Sequence, residues 1–136
     1  MKDNLILDKS FAFAIRVVKL YKYLCDDKKE YVLSKQLLRC GTSIGANINE
    51  AQAGQRKADF IAKMSIASKE ARDTGALRLN PAVQRGPSKY WIELLIKTDY
   101  LNIKDKHTAG LLAAIEEIVK LLTSIVKSSQ GNKVGK

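Results

Sequence analysis

Leu111, Ile115, Ile118, Leu122 and Ile125 recur at alternating steps of four and three, and Leu112, Val119 and Val126 run beside them. A β-strand alternates every second residue, so this spacing commits the C-terminal third of the chain to an amphipathic helix. Such a helix has one wide apolar stripe and must bury it against other elements. No stretch of the sequence reads as a strand, so those elements are expected to be helices too.

Three further segments carry the same period. Helix one is expected from about Lys9 to Leu24, with Asp8 or Ser10 as its cap. It has two apolar stripes: Phe11, Ile15, Val18 and Cys25, and beside them Phe13, Val17, Leu20 and Leu24. That band is wider than one core face needs. Either helix one lies deep in the fold, or part of the band meets another subunit. After a charged turn at Asp26–Lys29, helix two is expected over Glu30–Ala53, with Leu33, Leu37, Cys40, Ile44, Ile48 and Ala51 as its seam. Gly41 and Gly45 interrupt its middle, and a helical glycine costs about 1 kcal/mol against alanine. Small residues there fit close helix approach. A phosphate-binding loop does not fit, because the Gly-x-x-x-x-Gly-Lys-Ser/Thr pattern is absent. Gly54 ends helix two. Helix three begins near Ala58 or Asp59 and turns Phe60, Met64, Ala67 and Ala71 inward.

Between Gly75 and Lys89 the pattern fails. Both prolines of the chain, Pro81 and Pro87, lie there with Gly75 and Gly86. Proline inside a helix costs about 3 kcal/mol. Helical character resumes with Tyr90, Trp91, Leu94, Leu95 and Thr98, and Thr108 is the expected cap of helix four. The prediction is an all-α, antiparallel up-down-up-down four-helix bundle occupying 1–126, with an inserted loop at 75–89 interrupting helix three. The helix-two seam should face the seam of helix four. Residues 127–136, polar and with two glycines, are expected to form a disordered basic tail.

Catalytic or metal chemistry is hard to assemble from this chain. The single histidine, His107, has no Glu-x-x-His partner. Glu116 and Glu117 are adjacent and so point about 100° apart on a helix. Cys25 and Cys40 lack a Cys-x-x-Cys arrangement and fall on apolar stripes, so they read as buried free thiols. Asn47, Glu50 and Glu70 flank apolar seams and read as a cross-helix polar network. The expectation is a protein that is not an enzyme and has no cofactor. No apolar run has the length of a signal peptide or a membrane span, which predicts a cytoplasmic protein with no membrane association.

Charge is the remaining lead. Twenty-four lysines and arginines against fourteen acids give a net charge of +10. An excess of this size suits phosphate-bearing partners. The candidate nucleic-acid-binding residues are Arg16, Lys19 and Lys22 on helix one, Lys35 and Arg39 on helix two, and Arg56 and Lys57, which follow at the end of helix two. No aromatic stacking platform and no helix-turn-helix pattern is visible, so contacts should be to phosphates without base specificity.

The runs LLRCGTSIGANINEA (Leu37–Ala51), DFIAKMSIASKEARDT (Asp59–Thr74) and YWIELL (Tyr90–Leu95) resemble the bacterial four-helix-bundle family encoded in intervening sequences of large-subunit ribosomal RNA genes. The resemblance extends from Phe11 to Val126. It implies a ring-like homopentamer with a basic surface and offers no catalytic residue. The accessory protein of diversity-generating retroelements has a similar bundle, whose basic surface engages a reverse transcriptase and its RNA. In the family, KEARDT would run almost directly into YWIELL, so the segment Gly75–Lys89 is a departure. Two functions follow as expectations. One is a homo-oligomeric adaptor binding RNA or DNA, with room for a protein partner. The other is a structural or protein-interaction module, or a scaffold carrying a grafted loop.

Overall fold

The structure, a computed structural model, describes residues 2–54, 56–71 and 88–134. These form five α-helices: α1 Lys2–Asp26, α2 Leu33–Ala53, α3 Lys57–Ala71, α4 Ser88–Lys97 and α5 Lys106–Val134. There is no strand among the described residues. Of the expected loop, 75–87 lies outside them. Its last two residues, Ser88 and Lys89, open α4 instead.

The helices close a cycle. α1 packs on α2, α2 on both α3 and α4, and α3 and α4 on α5, which returns to α1. Contacts fix the directions. Gly41 lies against Val17 and Gly45 against Ser10, so α1 and α2 run antiparallel. Lys9 pairs with Glu117 at 2.9 Å and Arg16 reaches Gly110, so α1 and α5 do likewise. The backbones of α2 and α5 do not approach each other. The expected α2 and α5 seams therefore belong to one core cluster without the two helices packing directly on each other. They are diagonal, and each faces the cycle's interior.

That interior is continuous. Ile6, Phe13, Val17 and Leu24 of α1 join Leu37, Ile44 and Ile48 of α2, Met64 of α3, Ile92 and Leu95 of α4, and Ile115, Ile118 and Leu122 of α5, all essentially inaccessible. Each side chain buried this way contributes roughly 1.5–3 kcal/mol. Only one of the two α1 stripes is used here. Phe11, Ile15 and Val18 stay 65%, 43% and 36% exposed.

Helix ends depart from the sequence reading for identifiable reasons. α1 begins at Lys2 rather than Lys9, because Ile6 sits one heptad before Phe13 and is buried on the same face. Ser10 is thus interior to the helix, and its hydroxyl donates to the Leu7 carbonyl at 3.1 Å. α2 begins at Leu33 rather than Glu30. The Glu30 carboxylate accepts hydrogen bonds from the backbone N–H groups of Val32, Leu33 and Ser34 at 3.1, 2.8 and 2.7 Å. These amides have no intrahelical acceptor, so the buried carboxylate is consumed as a cap. At the last helix Asp105 takes the role expected of Thr108, accepting from the Thr108 N–H at 3.3 Å and from its hydroxyl at 3.4 Å. α5 also runs on to Val134. The stretch from Lys127 is therefore helical rather than an irregular tail, since no proline intervenes and each added residue gains a hydrogen bond.

Two members of the expected polar network are placed as follows. Asn47 donates to the Ser43 carbonyl of its own helix at 2.9 Å. Glu50 does cross helices, pairing with Lys63 at 2.7 Å. Cys25, half-buried rather than buried as expected, and Cys40, buried, are not joined in a disulfide.

At Gly41, α2 packs tightly against α1. A Cβ there would stand 3.0 Å from both methyl carbons of Val17. Gly41→Leu should lower unfolding stability by about 1–3 kcal/mol in urea melts. Adding Val17→Ala should recover part of that loss, so that the double-mutant cycle shows coupling; strictly additive losses would contradict the contact. Glu30→Ala should cost about 1–2 kcal/mol in the same assay, and an unchanged midpoint would show that the cap carries nothing.

Candidate functional site

The two loops α1–α2 and α4–α5 both lie at the end of the molecule where α1 finishes and α5 starts, and each is turned by a residue in the left-handed region. Lys29 has φ 56° and Asp99 has φ 72°. At Lys29 the chain folds back so that the Glu30 N–H donates to the Leu24 carbonyl at 2.9 Å. At Asp99 the α4 terminus closes as a Schellman motif. The Asp99 N–H donates to the Ile96 carbonyl at 3.1 Å, and the Tyr100 N–H donates to the Leu95 carbonyl at 2.9 Å. Asn102 then accepts from the Lys104 N–H through its side chain at 2.9 Å.

Between the α4–α5 loop and the C-terminal half of α1 lies an open groove of about 1040 Å³. Arg16, Lys19 and Tyr23 line it from α1, and Lys28 from the turn that follows. Tyr100 and Ile103 line it from the loop, and His107, Thr108 and Leu111 from α5. Asp99 and Asp105 also border it, but the Asp105 carboxylate is committed to the α5 N-terminus. Arg16 is held in place. Its Nη1 donates to the Gly110 carbonyl at 3.3 Å, and the guanidinium lies where a side chain at 110 would stand. Lys19 and Lys28 are exposed, and neither is in an ion pair within the described structure. Tyr23 is 42% exposed, and Tyr100 is half-buried with its ring packed on the core.

The seven basic residues singled out in the sequence do not share one surface. Arg16 and Lys19 enter the groove. Lys22 does not: each step of three residues turns about 300° along a helix, so the ladder rotates out of the groove and Lys22 falls beside Phe11 and Val18. Lys35 is exposed on α2. Arg39 lines a separate, smaller cleft of about 250 Å³ with Cys40, Ser43, Glu70 and Trp91. Arg56 pairs with Asp59 at 3.8 Å, and Lys57 opens α3 as an exposed side chain. Lys28, Tyr23, Tyr100 and His107 were missed. The tyrosines belong to segments far apart in sequence, and no local pattern joins them. Only the charged turn Asp26–Lys29 gave a local signal, in Lys28.

Elsewhere among the described residues no three His, Cys, Asp or Glu side chains cluster in a way that could hold a metal ion. None of the described helices is long and apolar enough to cross a membrane. The Tyr21 phenol is pushed above its ordinary range by a hydrogen bond to, and charge interaction with, the Cys25 thiol one turn later.

The described residues define a small helical protein with a mixed basic and aromatic groove. Comparison with known proteins narrows this. The family model of the 23S rRNA-intervening sequence protein matches residues 2–79. A solved structure from Bacteroides thetaiotaomicron VPI-5482, described as a protein of unknown function from the S23 ribosomal protein family, is 48% identical. The match covers 93% of this chain and 99% of that one, with a TM-score of 0.77. No curated protein matches. The chain belongs to the 23S rRNA-intervening sequence protein family.

Asp99 in the left-handed region sets the path of the loop that carries Tyr100. An L-residue there is strained by about 1–2 kcal/mol, less for aspartate than for most. Asp99→Gly should hold or raise the thermal midpoint, while Asp99→Val should lower it by several degrees. The reverse order would contradict the turn.

Proposed function

We propose that this protein is a non-enzymatic, cytoplasmic, nucleic-acid-associated adaptor that binds RNA or DNA through phosphates without reading base sequence. The observation that carries this reading is the convergence of Arg16, Lys19 and Lys28 on one groove in a chain of net charge +10. Phosphate contacts of this kind need only positive groups at a suitable spacing.

The reading includes an architecture. α3 and α4 both pack against α2 and α5, which supports treating them as two pieces of one bundle arm, divided by the inserted segment. The whole is then an antiparallel four-helix bundle. It also includes self-association. The exposed stripe Phe11, Ile15 and Val18 is an apolar face that a second copy would cover. Resemblance to the intervening-sequence family implies a pentameric ring. A ring would present several basic grooves at once and raise apparent affinity without any new contact.

Two measurements test the reading. In titrations of labelled structured RNA and duplex DNA, affinity should fall steeply between low and moderate salt, and Lys19→Glu with Lys28→Glu should weaken binding roughly tenfold or more without changing the helical circular dichroism. No binding at low salt would end the adaptor reading and leave a protein-interaction module. In light scattering the protein should run as an oligomer, and Phe11→Glu with Ile15→Glu should reduce it to a monomer. A wild-type monomer would remove self-association from the proposal.

A further inference from the structure

We infer that the groove beside the α4–α5 loop is a binding site for single-stranded nucleic acid, in which an unpaired base stacks on Tyr23 while Arg16, Lys19 and Lys28 hold the flanking phosphates. The inference rests on the adaptor reading and deepens it by naming the strand type and the site.

The chemistry of the groove separates the candidates. Charge alone would favour any polyanion. A surface for duplex phosphates, however, cannot stack an exposed aromatic ring on a base, because in a duplex the base faces are covered by the neighbouring stacked pairs. Unpaired bases do use one: stacking on an aromatic side chain is the recurrent way proteins hold single strands. Tyr23 is 42% exposed on α1, one turn beyond Lys19, and among the described residues its side chain makes neither a ring contact nor a hydrogen bond. Tyr100, half-buried, closes the opposite wall. Arg16 is pre-positioned by its bond to Gly110, so little side-chain freedom is lost when it meets a phosphate. The groove's volume of about 1040 Å³ exceeds what a single base needs, in keeping with a strand that continues past the stacked nucleotide. Asp99 at the rim opposes an anion and restricts the phosphate path to the α1 side. Sequence preference should be weak, since every base has a stackable face.

The test uses the full chain with fluorescein-labelled decauridylate, a duplex RNA of ten base pairs and polyglutamate as competitor, all at low salt. Three variants are compared: Tyr23→Ala, Tyr23→Phe and Lys19→Glu. Tyr23 is exposed enough for either change to leave the fold intact, which circular dichroism and the oligomeric mass verify. Tyr23→Ala should weaken decauridylate binding roughly fivefold to a hundredfold, the range of lost base stacking. It should leave duplex binding unchanged, and Tyr23→Phe should keep wild-type affinity. If Lys19→Glu weakens both ligands but Tyr23→Ala weakens neither, the stacking site is overturned while the adaptor reading stands. Equal displacement by polyglutamate, with no effect of Tyr23→Ala, would instead identify an acidic-peptide surface and overturn the inference. Absence of any nucleic-acid binding overturns both.

Discussion

The close crossing of α1 and α2 is the contact on which the other elements depend. A Cβ at Gly41 would stand 3.0 Å from both methyl carbons of Val17, tighter than ordinary packing, and Gly45 lies against Ser10. Two glycines inside a helix sacrifice intrinsic stability, about 1 kcal/mol each. What Gly41 permits is the close approach of α1, in a crossing that buries Phe13, Val17, Ile44 and Ile48. With α1 pressed against α2 on one side, its neighbouring face meets α5, and the Lys9–Glu117 pair and the Arg16–Gly110 bond follow from that placement. The ion pairs themselves are exposed and contribute little. Their value is as markers of register.

α1 consequently works on three sides. Ile6, Phe13, Val17 and Leu24 belong to the core. Arg16, Lys19 and Tyr23 belong to the groove. Phe11, Ile15 and Val18 face outward. A helix has room for three such stripes because its residues step by about 100°, and a 25-residue helix repeats each stripe several times. The two apolar stripes seen in the sequence are thereby divided between the inside of the protomer and its outer surface.

The helices were legible because each long apolar seam has a period that no strand shares, and the Gly41–Gly45 patch was legible as a packing seam because the seam runs through it unbroken. Helix ends were less so. Glu30 reads as a helical residue by propensity, and only in three dimensions does its carboxylate turn back onto three free amides. Ile6 was passed over because the apolar run around it is short, although its heptad distance from Phe13 places it in the core. The groove was the least legible feature. Arg16 and Lys19 were recognisable as a pair one turn apart, but the tyrosines that give the site its character come from α1 and from a loop more than seventy residues later. Nor could the sequence show that Lys22 leaves the groove or that Arg56 is engaged by Asp59.

The placement of a functional groove at the α1–α4–α5 end, apart from the outward apolar stripe, is tested most directly by photo-cross-linking. An oligonucleotide carrying 4-thiouridine is irradiated with the protein, and the adducts are mapped by mass spectrometry. Adducts should concentrate in the peptides that contain Tyr23 and Tyr100. Adducts concentrated instead around Lys35 and Arg39, or at the start of α3 near Arg56 and Lys57, would contradict that placement.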